Sequence, residues 1–195
     1  MSSARSRRLA PEERRRQLVK IGLELLAEYP LDALSTDEVA RRAGISRGLL
    51  FHYFASKRDY HQAVVRAACT ELLDRTAPPP GAGARASLHA MTSGFVDYVR
   101  EHRQLYLTLV RGASAGDPAV QEVVDETRRE LAERVLAFHR HTGHPAPPRL
   151  ALTARAWTAF AEEAVVSWPT DEPGAREELL DYLESHLLKL IGPAD

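Results

Sequence analysis

Apolar residues recur along this chain at three- and four-residue intervals, and alternating stretches bounded by hairpin turns are missing, so the pattern predicts helix nearly throughout. A first helix is expected to begin near Pro11, a good first-turn residue, with Glu12 and Glu13 suiting its positive end. Its apolar face would hold Leu18, Ile21, Leu25 and Tyr29, helped by Leu26, and it must stop before Pro30. Ser35 and Glu38 have the spacing of a reciprocal capping box, announcing a second helix that carries Val39, Ala40 and Ala43 and stops at Gly44. A short third helix opens at Ser46. Ser56 then caps a fourth, whose seam includes Tyr60, Val64, Ala67, Ala68 and Leu72. Breakers at 78–83, 143–148 and 169–174 divide the remainder into helices near Leu88–Arg100, Arg103–Arg111, Pro118–His141, Arg149–Trp168 and Ala175–Ile191. The expectation is an all-α chain of about nine helices. An N-terminal three-helix helix-turn-helix domain would occupy residues 1–58 and a C-terminal helical bundle domain residues 59–195.

The chemically informative stretch is Ser35 to Phe54, STDEVARRAGISRGLLFHYF. Two short helices flank a turn at Gly44, with small Ala40 and Ala43 permitting a close crossing and Ile45 able to fill the angle between them. That arrangement leaves Ser46, Arg47, Gly48 and Leu49 projecting from the body. A recognition helix reaches base edges with just such an N-terminal turn. Arg47 can donate two hydrogen bonds to guanine, and Gly48 has no side chain to hold a phosphate or base away. Thr36 can offer donors to a phosphate at a helix N-terminus, and His52, Tyr53 and Lys57 can hold neighbouring phosphates. Arg5, Arg7 and Arg8 form an arm able to follow the backbone or enter a minor groove. Taken singly, each has an ordinary explanation. Arg47 and Lys57 are long charges on exposed turns, Ser35 and Ser56 are caps, and Leu50 and Phe54 are core.

It is the set that is distinctive. The run Val39 to Val65, VARRAGISRGLLFHYFASKRDYHQAVV, resembles the tetracycline-repressor (TetR) family of transcriptional regulators, and the preceding helix resembles it less sharply. The resemblance covers about the first third of the chain. It implies an all-helical homodimer with a three-helix DNA-binding domain and a larger C-terminal domain that binds a small ligand and dimerises through its last two helices. By position it implies DNA contacts at Thr36, Ser46, Arg47, Gly48, Leu49, Phe51, His52, Tyr53 and Lys57. Leu49 stands where threonine is usual, which removes a hydroxyl and favours contact with a thymine methyl. Phe51 stands where tyrosine is usual, so a phosphate hydrogen bond is lost and stacking or packing remains. A helical small-molecule-binding protein without effective DNA binding is the alternative these departures leave open.

Charge sharpens the picture modestly. The net charge is −1, but residues 1–58 carry 12 Lys and Arg against 7 Asp and Glu, a net of +5, and residues 59–195 carry 14 against 20, a net of −6. One end of the molecule suits a polyanion better than the other. Apolar runs are too short to span a bilayer and the basic start is followed by no apolar signal segment, so a cytoplasmic protein without membrane partner is expected. Cys69 is the lone cysteine, which excludes a disulfide framework or a cysteine-based zinc site within one chain.

In the second half, Phe95, Tyr98, Tyr106, Trp157 and Phe160 are candidates for a ligand cavity among helices, although aromatics at helical spacing are more often core. Arg155, Glu162 and Glu163 are taken as surface charges. The last helix has a wide stripe of Leu179, Leu180, Leu183, Leu187, Leu188 and Leu190, enough to face its own domain and a second copy. His139, His141 and His144 cluster at a helix end, but His-x-His points its rings to different faces and no acidic ligand adjoins them. No phosphate loop, nucleophile elbow or paired-acid motif is present. The expectation is therefore a regulator that binds an operator and an unknown small-molecule effector, with no catalytic residue, metal or cofactor.

Overall fold

Helix α1 (Pro11–Leu26) starts where proline's fixed φ and missing N–H are tolerated, and the Ala10 amide donates to the Glu13 carboxylate at 3.1 Å. It buries Leu18, Ile21, Leu25 and Leu26. Tyr29, expected on that face, lies beyond the helix end and is 48% exposed: Pro30 disfavours helical geometry in the residue before it, and the chain has already turned. A 3₁₀ turn, Leu31–Ala33, follows, which the apolar pattern did not signal.

Then come α2 (Thr36–Ala43), α3 (Arg47–Tyr53) and α4 (Lys57–Arg75), capped by Ser35, Ser46 and Ser56. The bundle comprises α5 (Ala84–Glu101), α6 (Arg103–Ala113), α7 (Pro118–Thr142), α8 (Leu150–Ser167) and α9 (Ala175–Ile191). Helix α5 starts directly after Gly83, four residues earlier than its apolar seam suggested. The computed structural model describes residues 10–113, 117–169 and 172–192, with backbone alone at 110–113; Arg5, Arg7 and Arg8 lie outside them. Among the described residues there is no strand, and no helix is long and apolar enough to cross a membrane.

Two apolar cores share α4. Tyr60, Val64, Val65, Ala68 and Cys69 pack with α1–α3 and also with Leu105, Leu109, Val120, Val123 and Val124 from α6 and α7. Leu72, at the far end of α4, belongs to the second core, between α5, α7, α8 and α9. At 1.5 Å per residue the 19 residues of α4 make a rod of about 28 Å that joins the two. Its crossing with α1 is close. A Cβ at Gly22 would come within 2.5 Å of both Tyr60 Oη and Val64 Cγ2, and the buried Tyr60 hydroxyl donates to the Leu18 carbonyl at 2.8 Å. The C-terminal end of α4 is held from α7, where Arg134 donates to the Leu73 carbonyl and to Thr76 Oγ1.

Candidate nucleic-acid interface

The geometry of α3 follows from its two ends. Gly44 takes φ +65°, the left-handed conformation that lets α2 stop and the chain reverse, and the Ile45 amide returns to the Ala40 carbonyl at 3.0 Å. Ser46 then caps α3 by accepting from the Leu49 amide at 3.2 Å. Leu50 and Phe54 anchor the helix in the first core, where Ile45, Phe51 and Tyr53 pack half-buried. With that face committed inward, Ser46, Arg47, Gly48 and Leu49 stand exposed at the leading edge.

The exposed groups differ in readiness. Arg47 is held only by a 3.5 Å ion pair to Asp37 and by stacking 5.5 Å over the Phe51 ring, both at the surface. Phosphate or a base edge can therefore draw it away cheaply. Gly48 is open: a Cβ there would have nothing nearer than Ser46 Oγ at 3.9 Å. Leu49 is 39% exposed, an apolar side chain with no core to fill. His52 is exposed and meets Tyr53 edge-on, and Lys57, on the first turn of α4, donates to the Asp32 carbonyl at 3.3 Å. Thr36 opens α2 but is only 5% exposed, so little of its side chain is available to a duplex.

Helix α2 behaves differently from its sequence signature. Ser35 Oγ accepts from the Glu38 amide at 3.5 Å, but the Glu38 carboxylate does not complete the reciprocal box. It is taken by Arg41 at 2.6 Å and Arg42 at 3.0 Å, and these two guanidiniums hold its carboxyl down to about 2. Arg58 likewise pairs with Asp117 across to the start of α7 at 2.8 Å, so part of the positive charge of residues 1–58 is spent internally. The free cationic edge is narrower than the count of +5 suggests.

In the bundle, the candidate aromatics divide. Phe95 and Trp157, with Thr76, Met91, Leu131, Thr158 and Ala161, line a cavity of ≈ 20 Å³. Tyr98 and Tyr106 line a second of ≈ 30 Å³ with Ala68, Cys69, Leu72, Leu109, Arg128 and Glu162 among others. Phe160 lines neither; its ring packs 5.5 Å from Tyr182 and 5.6 Å from His186, and Tyr182 in turn meets Trp168 at 5.2 Å. Glu162 corrects the sequence reading, which placed it at the surface. Arg128 reaches from α7 and chelates it at 3.0 and 2.9 Å, leaving its side chain 13% exposed. His139 is buried and shares a groove with His144, whereas His141 lies on another face and pairs with its own helix at the Ala137 carbonyl. No three His, Cys, Asp or Glu among the described residues are grouped to hold a metal ion.

Comparison with known proteins matches residues 18–64 to the bacterial regulatory proteins of the tetR family and residues 84–190 to the tetracyclin repressor-like C-terminal domain. The chain is 26% identical over 183 residues to the HTH-type transcriptional regulator BetI of Escherichia coli, covering 89% of this chain and 94% of BetI. It is 24% identical over 185 residues to the HTH-type transcriptional activator FasR of Mycolicibacterium smegmatis, covering 91% and 84%. A tetR-family transcriptional regulator from Streptomyces coelicolor superposes with a TM-score of 0.78 at 31% identity, over 93% of this chain and 82% of that one. GusR of Salmonella enterica shares the fold, with a TM-score of 0.75 at 17% identity over 96% and 100%.

Proposed function

The chain belongs to the tetracycline-repressor family of DNA-binding transcriptional regulators, which are not enzymes, and from that premise we propose that it is a ligand-released repressor acting as a homodimer on a pseudo-palindromic operator. The observation that carries this reading is the outward leading edge of α3. Arg47, Gly48 and Leu49 are exposed there on a helix whose other face is locked into the core. Arg47 and Leu49 read base edges, Gly48 permits the approach, and Ser46, His52, Tyr53 and Lys57 hold flanking phosphates. Phe51 supports Arg47 from beneath.

The dimer face is formed by α8 and α9. Half-buried Phe160, Trp168, Tyr182 and His186 stack there, and Leu190 is 53% exposed. Such a surface is better covered than wetted. A twofold axis then places two α3 helices in successive major grooves.

Release follows from the position of the cavities. Ala68, Cys69 and Leu72 of α4 and Tyr106 and Leu109 of α6 form walls of the ≈ 30 Å³ cavity, and Thr76 at the end of α4 walls the other. A ligand that binds better when these helices are displaced favours a dimer whose heads are wrongly spaced. The test is operator selection from random duplexes followed by a promoter reporter. A twofold-symmetric site and reduced transcription are expected. A rise in transcription on binding overturns the repressor assignment, and failure to enrich any sequence overturns the DNA reading.

A further inference from the structure

A groove of ≈ 300 Å³ between α7 and α8 is lined by Asp125, Arg128, Arg129, Arg155, Thr158 and Ala159. Two of these residues also belong to the interior. Thr158 walls the cavity of Phe95 and Trp157, and Arg128 walls the cavity of Tyr98 and Tyr106. The groove thus shares one lining residue with each cavity, Thr158 with the first and Arg128 with the second. Its charge is uneven. Asp125 already pairs with Arg128 at 3.6 Å and accepts from Gln121 at 2.9 Å, while Arg129 and Arg155 make no ion pair or hydrogen bond among the described residues.

The partition is a carboxylate chelate. Arg128 offers its Nε and Nη2 fork to Glu162, and the buried Tyr106 hydroxyl faces the same carboxylate without closing a hydrogen bond to it. Burial keeps that hydroxyl protonated, so it remains a donor. We propose that the groove admits a ligand with a carboxylate head and an apolar tail. Arg129 and Arg155 receive the carboxylate, which then replaces Glu162 on Arg128, and the tail passes inward beside Trp157 and Leu131. The exchange swaps one carboxylate for another on the same guanidinium, and the released Glu162 gains the donor that Tyr106 holds idle. A cationic ligand fits poorly, because it must pass Arg129 and Arg155 at the mouth of the groove. The cavities, with room for about one water each, fill by displacement, and Met91 in the wall is unbranched and easily repacked.

This inference names the ligand class for the effector site proposed above and rests on that reading. It is tested by calorimetric titration of the full-length protein with decanoate, decanol and decyltrimethylammonium, alongside tryptophan fluorescence in a Trp168→Phe background that leaves Trp157 as reporter. Decanoate is expected to bind saturably, at least about tenfold more tightly than either control, and to shift the Trp157 emission. Replacing both Arg129 and Arg155 by Gln, at exposed positions, should weaken decanoate by about tenfold or more and leave decanol unchanged. Glu162→Gln should tighten decanoate, because its competitor on Arg128 is gone. Equal or tighter binding of the cation, an unaltered decanoate affinity in the double variant, or no saturable decanoate binding overturns the proposal. Operator binding by the ligand-free parent, measured separately, shows whether the regulator reading stands when the ligand assignment does not.

Discussion

The isolated fold does not account for Gly48, and Gly48→Ala therefore separates folding from recognition. The residue lies within α3, where its backbone is ordinary helix, and a Cβ would meet nothing closer than 3.9 Å. Alanine is favoured over glycine in a helix by up to about 1 kcal/mol, so the free protein should melt at the same temperature or slightly higher. With about 2–4 °C per kcal/mol for a chain of this size, a rise of a few degrees at most is expected. On DNA the sign reverses. A methyl group at the leading edge holds the backbone off the duplex, and loss of even one well-placed base contact costs about 1–3 kcal/mol. That corresponds to an affinity about 5- to 150-fold lower. Gly22→Ala is the mirror control. Its Cβ would strike Tyr60 Oη and Val64 Cγ2, both at 2.5 Å, so overpacking of about 1–3 kcal/mol outweighs the propensity gain and the melting point falls. Differential scanning fluorimetry and fluorescence anisotropy on the selected operator read both quantities. If Gly48→Ala binds that operator as tightly as the parent, the leading edge of α3 does not approach DNA closely and the assignment of Gly48 is refuted.

Arg47→Ala should relax base preference and weaken specific binding by about 1–3 kcal/mol, while removing only an exposed ion pair and a stacking contact from the free protein; uniform affinity across operator variants in parent and mutant alike would show that Arg47 reads no base. Lys57→Ala should weaken all sequences alike and lower the salt dependence by about one phosphate equivalent, a slope obtained by titrating at several salt concentrations. Glu38, whose carboxyl is lowered from 4.5 to about 2 by Arg41 and Arg42, contributes stability that is complete above its unfolded value and disappears as pH falls through that window. An NMR titration should place its midpoint near the lower value, and a midpoint at the ordinary carboxylate value would mean that the arginine clasp is absent in solution. Leu190→Glu, on the exposed stripe of α9, should shift sedimentation toward monomer without lowering the melting point of the chain's own core; an unchanged dimer would remove Leu190 from the interface.

Helix boundaries were legible wherever one residue settles them: Ser35, Ser46 and Ser56 as caps, Gly44 and Gly143 in the left-handed conformation, and Pro118 in a first turn. Those signals are local, and so is the turn that aims α3 outward. What the sequence concealed depends on partners far along the chain. Tyr29 fits the apolar period of α1 yet falls beyond its end, and Thr36 is covered although its type and position suit a phosphate contact. Glu162 has no neighbour in sequence that would draw it inward; Arg128, 34 residues earlier, does so. The capping box at Ser35 has the right spacing, but two arginines compete for Glu38 more strongly than a backbone amide does. The first core also reaches residues on α6 and α7 that periodicity could only mark as apolar, which is why the separation of head from bundle is less clean in three dimensions than along the chain.

The most direct test is hydroxyl-radical footprinting of the full-length protein on its selected operator, with methylation interference at guanine N7 on the same fragment. Two protected patches related by twofold symmetry are expected, centred about 34–36 Å apart, with interference in the major groove facing each α3. A single asymmetric patch, or protection without any major-groove interference, would contradict the claim that paired α3 edges enter successive grooves.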